Sequence, residues 1–466
     1  MRWLRSLLAF SVCVALARGG HAQDKGGLAH EEALRIAATR NLTLLVQSLA
    51  RSSAEAEARM ARRPYLPELA VEASVSDTPG EERRAIDLSP SLSYLSPYGT
   101  AVRMSATFTE GLAGNPAEGR DLTIELTQAL LRGGFHAGAG ADLDAADLKV
   151  VLQKQVFRES LNDLLQRADR VYWELAFAAE DREIKRRSRD RARSQFEETQ
   201  ENIRRGLLAQ GEIYIVEESL TDFEERLSRA EEALSLAKLE MQAVLRWAPN
   251  QDVTPTTAVD VAGAPEVSDA ESVAAAKRGS PALIAARIRL RAADLDTGIA
   301  KSQAYPELDA FGSATVRDGT DERGILLSDN PDLRAGLRLS IPLYWGPDSA
   351  RVDRAVILRR AQALSVEAAE ENAAFEVLRA ATILRGRTHR LDLASRIVEL
   401  SRQKLDVERE KYKSGISTLA DVVRFQRELD AALGSSLRAR IDVLTARTDL
   451  AAARGDLHDS LGITVE

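Results

Sequence analysis

The sequence predicts a mainly α chain with a β-barrel part: two tandem repeats, each giving long antiparallel coiled-coil helices and a few barrel strands. Three observations carry this. KYKSGISTLADVVRFQRELDAA at 411–432 has a near-copy, NIRRGLLAQGEIYIVEESLTDFE, at 202–224; with Gly206 laid on Gly415, an offset of 209, Ile213, Val216 and Leu220 fall on Val422, Phe425 and Leu429. A second match at an offset of 239 puts Leu44 on Leu283, Ala54 on Ala293, Arg62 on Lys301 and Pro67-Glu68-Leu69 on Pro306-Glu307-Leu308. Two such matches read as an internal repeat. After each of these prolines the apolar period changes from helical to two, the signature of strands.

Composition fits. Of 466 residues, 44% are hydrophobic, only 5% aromatic and 29% charged, a balance that favours long helices over compact cores. Residues 1–22 read as a secretory signal: Arg2 and Arg5, an apolar run from Ser6 to Ala17, and Gly20-His21-Ala22 as a small-x-small cleavage site. The only cysteine, Cys13, lies inside it, so the mature chain is expected to have neither disulfide nor thiol chemistry. Loss of Arg2, Arg5 and Arg18 takes the formal charge from -8 to -11, and no nucleic-acid face is expected. No later run of 18 apolar residues offers a transmembrane helix.

The first repeat is expected at 23–247, the second at 269–466, with a Pro- and Gly-punctuated linker or equatorial segment at 248–268. Each opens on a helix, 30–63 and 273–303, that stops at a proline. Barrel strands follow at about 67–128 and 307–341. The cleanest is 333–341, with Leu333, Ala335, Leu337, Leu339 and Ile341 on one face and Arg334, Gly336, Arg338 and Ser340 on the other. Strands of nine or ten residues suit a tilted crossing of a bilayer, and no unassigned amphipathic helix remains to cover the sheet. So few strands cannot close a barrel alone, and open edges are not tolerated in lipid; several chains must share one. Exit strands match at an offset of 213, which makes the first copy 26 residues longer between entry and exit. The surplus contains SLSYLSPYGTAVRMSATF at 91–108, a hairpin turning at Pro97-Tyr98-Gly99 that either adds barrel wall or forms an outer loop.

Long helical hairpins are expected at about 141–247, with its tip at Gly206, and about 349–461, with its tip at Gly415. Neither outgoing arm contains a proline, and each approaches about 100 Å at about 1.5 Å per residue. Val377, Leu384, Leu391, Val398, Leu405 and Tyr412 recur every seven residues, as do Val422/Phe425 to Leu450/Ala453 and Ile213/Val216 to Met241/Val244. A repeat of seven imposes a left-handed supercoil on packed rods.

No residue pattern points to catalysis, a metal or a cofactor. His136, His389 and His458 lack ligand spacing, GGFHAGAG at 133–140 lacks the lysine of a phosphate loop and reads as a strand-to-helix junction, and no nucleophile or acid/base pair stands out. The Asn41-Leu-Thr43 sequon falls on a helix.

The turn Tyr412-x-x-Gly415-x5-Asp421-Val422, its partner Gly206-Leu-Leu-Ala and LSIPLYWG at 339–346 together resemble the TolC-type outer-membrane factors of bacterial efflux and type I secretion, over about 30–463. The resemblance implies a homotrimer in outer-membrane lipid, with a barrel shared between three chains and an α-barrel tunnel crossing the periplasm. Its implied role is a passive exit duct for compounds from an inner-membrane pump, reached through a periplasmic adaptor. A type I protein-secretion channel, or in a different class a soluble periplasmic coiled-coil adaptor, is the competing expectation. Gly206, Leu207, Gly415 and Ile416 would be the adaptor-docking tips. The family's latch, a tyrosine three residues before the second glycine bonded to an acid six residues after the first, falls on Tyr412 and Glu212. Its constriction aspartate falls on Asp421, and its second acid, one turn on, is Arg424 here. Tyr412 also ends the heptad series and Asp421 also suits a helix first turn, so latch or seam, and pore or cap, stay open.

Overall fold

A computed structural model describes residues 27–78, 83–112, 118–249, 251–261, 268–320, 330–343 and 346–457. The expected signal at 1–22 with Cys13, part of the 248–268 segment, Tyr344 and Trp345 of the exit motif, and His458 lie outside the described residues. In chain order the elements are β1 (Gly27–Leu28), α1 (His30–Arg40), α2 (Leu42–Ala61), a 3-10 turn (Arg63–Tyr65), β2 (Glu68–Thr78), β3 (Arg83–Leu95), β4 (Thr100–Leu112), β5 (Glu118–Ala129), α3 (Phe135–Ala139), α4 (Ala141–Arg204), α5 (Glu212–Leu245), β6 (Thr254–Pro255), α6 (Asp269–Gly279), α7 (Pro281–Gln303), β7 (Glu307–Thr320), β8 (Asp332–Ser340), α8 (Gly346–Lys413) and α9 (Leu419–Arg454). They fall into two compact units, one of 27–39, 167–261 and 387–445, the other of 40–166, 268–386 and 446–457.

In the second unit, β2-β3-β4-β5-β7-β8 form one antiparallel six-stranded sheet. The register sets a continuous apolar row across one face: Leu69 opposite Leu92, Leu92 opposite Met104, Met104 opposite Ile124, Ile124 opposite Ala314 and Ala314 opposite Leu333. The other face is polar, running through Ser91, Ser105, Thr123 and Thr315 to Asp332. Pro90 has no N–H to give, and the β3–β4 ladder omits Ser89 and Pro90, resuming at Ser91 opposite Ser105. The gap is bridged by the Ser89 hydroxyl, which donates to Thr107 Oγ1 at 3.2 Å. The β3–β4 turn needs Gly99, whose φ is 82°; a Cβ there would meet the Gly133 carbonyl oxygen at 2.8 Å.

The opening helices differ from the expectation of one helix each. Asn41 interrupts the first, its Oδ1 accepting from the N–H groups of Thr43 at 2.8 Å and Leu44 at 3.3 Å, so the sequon asparagine is an N-cap and not a mid-helix residue. Ser280 interrupts the second, accepting from Leu283 N–H at 3.4 Å, with Pro281 in the first turn where its missing donor costs nothing. The two caps are 239 residues apart, which is the offset of the repeat.

The first unit contains the tip-bearing parts of α4, α5, α8 and α9. Leu405 of α8 packs on Val422 and Leu429 of α9, flanked by Tyr412, Phe425 and Leu433. The seven-residue series on α9 is buried at Val422, Leu429, Ser436 and Val443, and that on α5 at Val216, Phe223, Ala230 and Ala237. A buried acid joins the facing helices here: Asp430, 1% exposed, accepts from Lys185 Nζ and Ser188 Oγ, each at 2.8 Å, with Arg226 at 3.6 Å. β1 pairs in parallel with β6, and both are anchored on α4 through Tyr172, whose hydroxyl donates to the Leu28 carbonyl at 2.9 Å. Among the described residues, no helix is long and apolar enough to cross a membrane.

Candidate functional site

The site is the pair of helix ends at 202–214 and 411–424. Each outgoing helix stops because a glycine takes a left-handed conformation, φ 74° at Gly206 and 72° at Gly415. The closing bonds are the same at both. Gly206 N–H donates to Ile203 O at 3.0 Å and Leu207 N–H to Asn202 O at 2.8 Å; Gly415 N–H donates to Tyr412 O at 3.0 Å and Ile416 N–H to Lys411 O at 2.9 Å. These satisfy the last carbonyls in a Schellman closure. A Cβ on either glycine would meet nothing within 4 Å, so dihedral angle rather than space demands glycine.

In this closure the residue after the glycine normally folds back on an apolar side chain three positions before the cap. Those positions are Asn202 and Lys411 here. With no apolar partner, Leu207 and Ile416 stand out, 69% and 78% exposed.

The entries to the return helices are unlike. α5 starts after Gly211 without a side-chain cap. α9 starts in a reciprocal box: Asp421 N–H donates to Thr418 Oγ1 at 3.2 Å, and the Thr418 hydroxyl donates to Asp421 Oδ2 at 2.6 Å. Arg424 Nη2 lies 3.1 Å from Asp421 Oδ1, with its guanidinium 4.9 Å from the Phe425 ring centre. The Thr418 bond first, then Arg424, hold the Asp421 carboxyl below the usual aspartate range. Asp421 is thus engaged as a first-turn acid, and the sequence signal missed was its partner in the pattern Thr418-x-x-Asp421.

Tyr412 is half-buried against the seam of Leu405, Val422 and Leu429. Burial, and then the charges of Glu212 and Glu198, push its phenol upward. The structure brings Tyr412 and Glu212 into electrostatic range, yet no hydrogen bond joins them in this conformation, and Glu212 Oε2 is buried without a donor among the described residues. Also among the described residues, no group of three His, Cys, Asp or Glu is placed to hold a metal ion. The tips present two exposed apolar side chains, Leu207 and Ile416, and at the second tip a polar cluster of Thr418, Asp421 and Arg424.

Residues 273–456 match the family model described as outer membrane efflux protein. No match is found among curated proteins. Three solved structures have similar folds. The outer-membrane channel OprN has a TM-score of 0.67 at 17% identity, covering 91% of this chain and 89% of its own. The Neisseria gonorrhoeae MtrE outer membrane channel in its open state gives 0.66 at 18%, covering 91% and 88%. The outer membrane protein VceC from Vibrio cholerae gives 0.64 at 16%, covering 91% and 96%.

Proposed function

We propose that this chain, whose residues 273–456 carry an outer membrane efflux protein domain, is the outer-membrane exit duct of a tripartite efflux system. Three copies share a barrel in the outer membrane and a helical tunnel in the periplasm. The duct is passive, not an enzyme, and conducts small compounds delivered by an inner-membrane pump through a periplasmic adaptor.

The observation that carries this reading is the sheet. Its apolar face is continuous across six strands, with Leu69 71%, Leu333 72% and Leu337 69% exposed, and among the described residues both edge strands, β2 and β8, have no neighbour on their outer side. Water disfavours such a surface and open edges invite pairing, whereas lipid and neighbouring copies satisfy both. A soluble adaptor has no use for it.

The tips then take the working roles. Leu207 and Ile416 are equivalent apolar knobs, two on each chain, suited to the adaptor. Tyr412 and Glu212 form the latch when the tips draw together, which gives the donorless Glu212 oxygen a partner. Asp421 lines the constriction, but Arg424 beside it makes the ring of mixed sign rather than a purely acidic cation site.

Cell fractionation with heat-modifiable gel mobility tests the reading. The protein is expected in the outer membrane, as a species whose mobility shifts on boiling. Recovery in the soluble fraction without detergent would rule the barrel out.

A further inference from the structure

The repeat accounts for only four of the six strands in the sheet. At the entry offset of 239, β2 corresponds to β7; at the exit offset of 213, β5 corresponds to β8. The difference, 26 residues, falls between β2 and β5, where the first copy has β3 and β4 and the second, among the described residues, has no strand. A plain duplication would give four strands per chain, and three chains would close twelve.

β3 and β4 are nevertheless built as wall. They stand in the middle of the sheet, paired over most of their lengths with β2 and β5. Their side chains keep the sheet's two faces: Ile86, Leu88, Leu92, Tyr94, Met104 and Phe108 join the apolar face, and Ser91, Ser93, Arg103, Ser105 and Thr107 the polar one. A hairpin laid outside the wall would have no need of an apolar face in register with its neighbours. The turn is fixed as well: Ala129 N–H donates to Gly99 O and Phe135 N–H to Tyr98 O, each at 3.1 Å, which ties the hairpin to the junction after β5.

Parity agrees. All five neighbouring pairs are antiparallel, so with an even number of strands β2 and β8 run in opposite directions. β8 of one copy can therefore meet β2 of the next in the same antiparallel sense, and repetition closes the sheet without a parallel seam.

We propose that three chains close an eighteen-stranded barrel, six strands from each, with β3 and β4 as lipid-facing wall; the inference rests on the trimeric exit-duct reading. With strands about 4.8 Å apart and tilted about 40°, eighteen close at a backbone diameter of about 36 Å and twelve at about 24 Å. Barrels of that strand number hold an aqueous channel rather than a side-chain core. The lumen face mixes serine and threonine with charges of both signs, among them Glu72, Asp87, Arg103, Asp121, Glu125 and Arg338, and would be wetted throughout.

Electron cryomicroscopy of the full-length protein purified in detergent counts the strands. A trimer with eighteen is expected. A trimer with twelve, the β3–β4 hairpin lying outside the wall, overturns this inference and leaves the exit duct intact; absence of a trimeric barrel overturns both. Cysteine substitution in outer membranes gives a second count, since the chain's only natural cysteine is Cys13. Ser93→Cys and Ser105→Cys should react with a water-soluble thiol reagent while Leu92→Cys and Met104→Cys stay protected. Equal reaction of all four places the hairpin outside the wall.

Discussion

The two copies of the repeat agree at their tips and part company at their strands and their charges. Gly206 and Gly415 close their helices with the same pair of bonds and the same φ, and Asn41 and Ser280 cap equivalent helices one repeat apart. The sheet, by contrast, takes four strands from the first copy and two from the second. Asp430 has no acidic counterpart either: its equivalent at the tip offset of 209 is Thr221, which is exposed. Backbone geometry demanding a particular residue is copied faithfully, whereas surface and interior charge diverge because either copy can satisfy them alone.

The widest separation between the copies should come from Asp430. Asp430→Ala leaves Lys185 and Arg226 without their buried anion, and removing one partner of such a pair costs about 3 kcal/mol. Thr221→Ala, at the exposed equivalent, should be close to neutral. Thermal unfolding of the two variants checks the contrast; equal melting temperatures would show that Asp430 is dispensable.

The glycine tips should behave as equals. Gly206→Ala and Gly415→Ala each force a left-handed alanine, at about 1 kcal/mol. Denaturant titration of both variants should give matching losses, and a tip that accepts alanine freely would break the likeness.

A smaller difference should appear at the entries to the return helices. Thr418→Ala removes a cap worth about 1 kcal/mol that the first copy, starting after Gly211, never had. Because the folded Asp421 pKa is depressed, its contribution is present above the unfolded value and lost as pH falls through the folded one. Hydrogen exchange should therefore show the Gly415 tip loosening below the ordinary aspartate range while the Gly206 tip does not. Thr418→Ala should flatten that response, and an unaltered response would remove Thr418 as its cause.

Much of this was legible in the sequence. Gly206 and Gly415 punctuate otherwise unbroken heptads, and alternation after Pro67 and Pro306 revealed strands. What alternation cannot give is pairing, so 91–108 could be placed as wall or loop only once partners for β3 and β4 were known. The breaks at Asn41 and Ser280 were readable in principle, since Asn before an apolar run and Ser-Pro are start signals, but continuous helical period hid them. Asp430 follows the seam residue Leu429, and nothing local distinguishes a buried acid from a solvated one; its partners come from helices about 200 residues or more away. Tyr412 packs on the seam as its heptad position predicts, whereas a bond to Glu212 is absent and only an electrostatic influence of that acid on the phenol is present.

Planar-bilayer recording of the purified full-length protein tests the central claim most directly. The wild type should insert with discrete conductance steps, and Tyr412→Phe combined with Glu212→Ala should enlarge them by freeing the tips. A folded protein giving no steps contradicts the duct; steps left unchanged by the double variant contradict the latch alone.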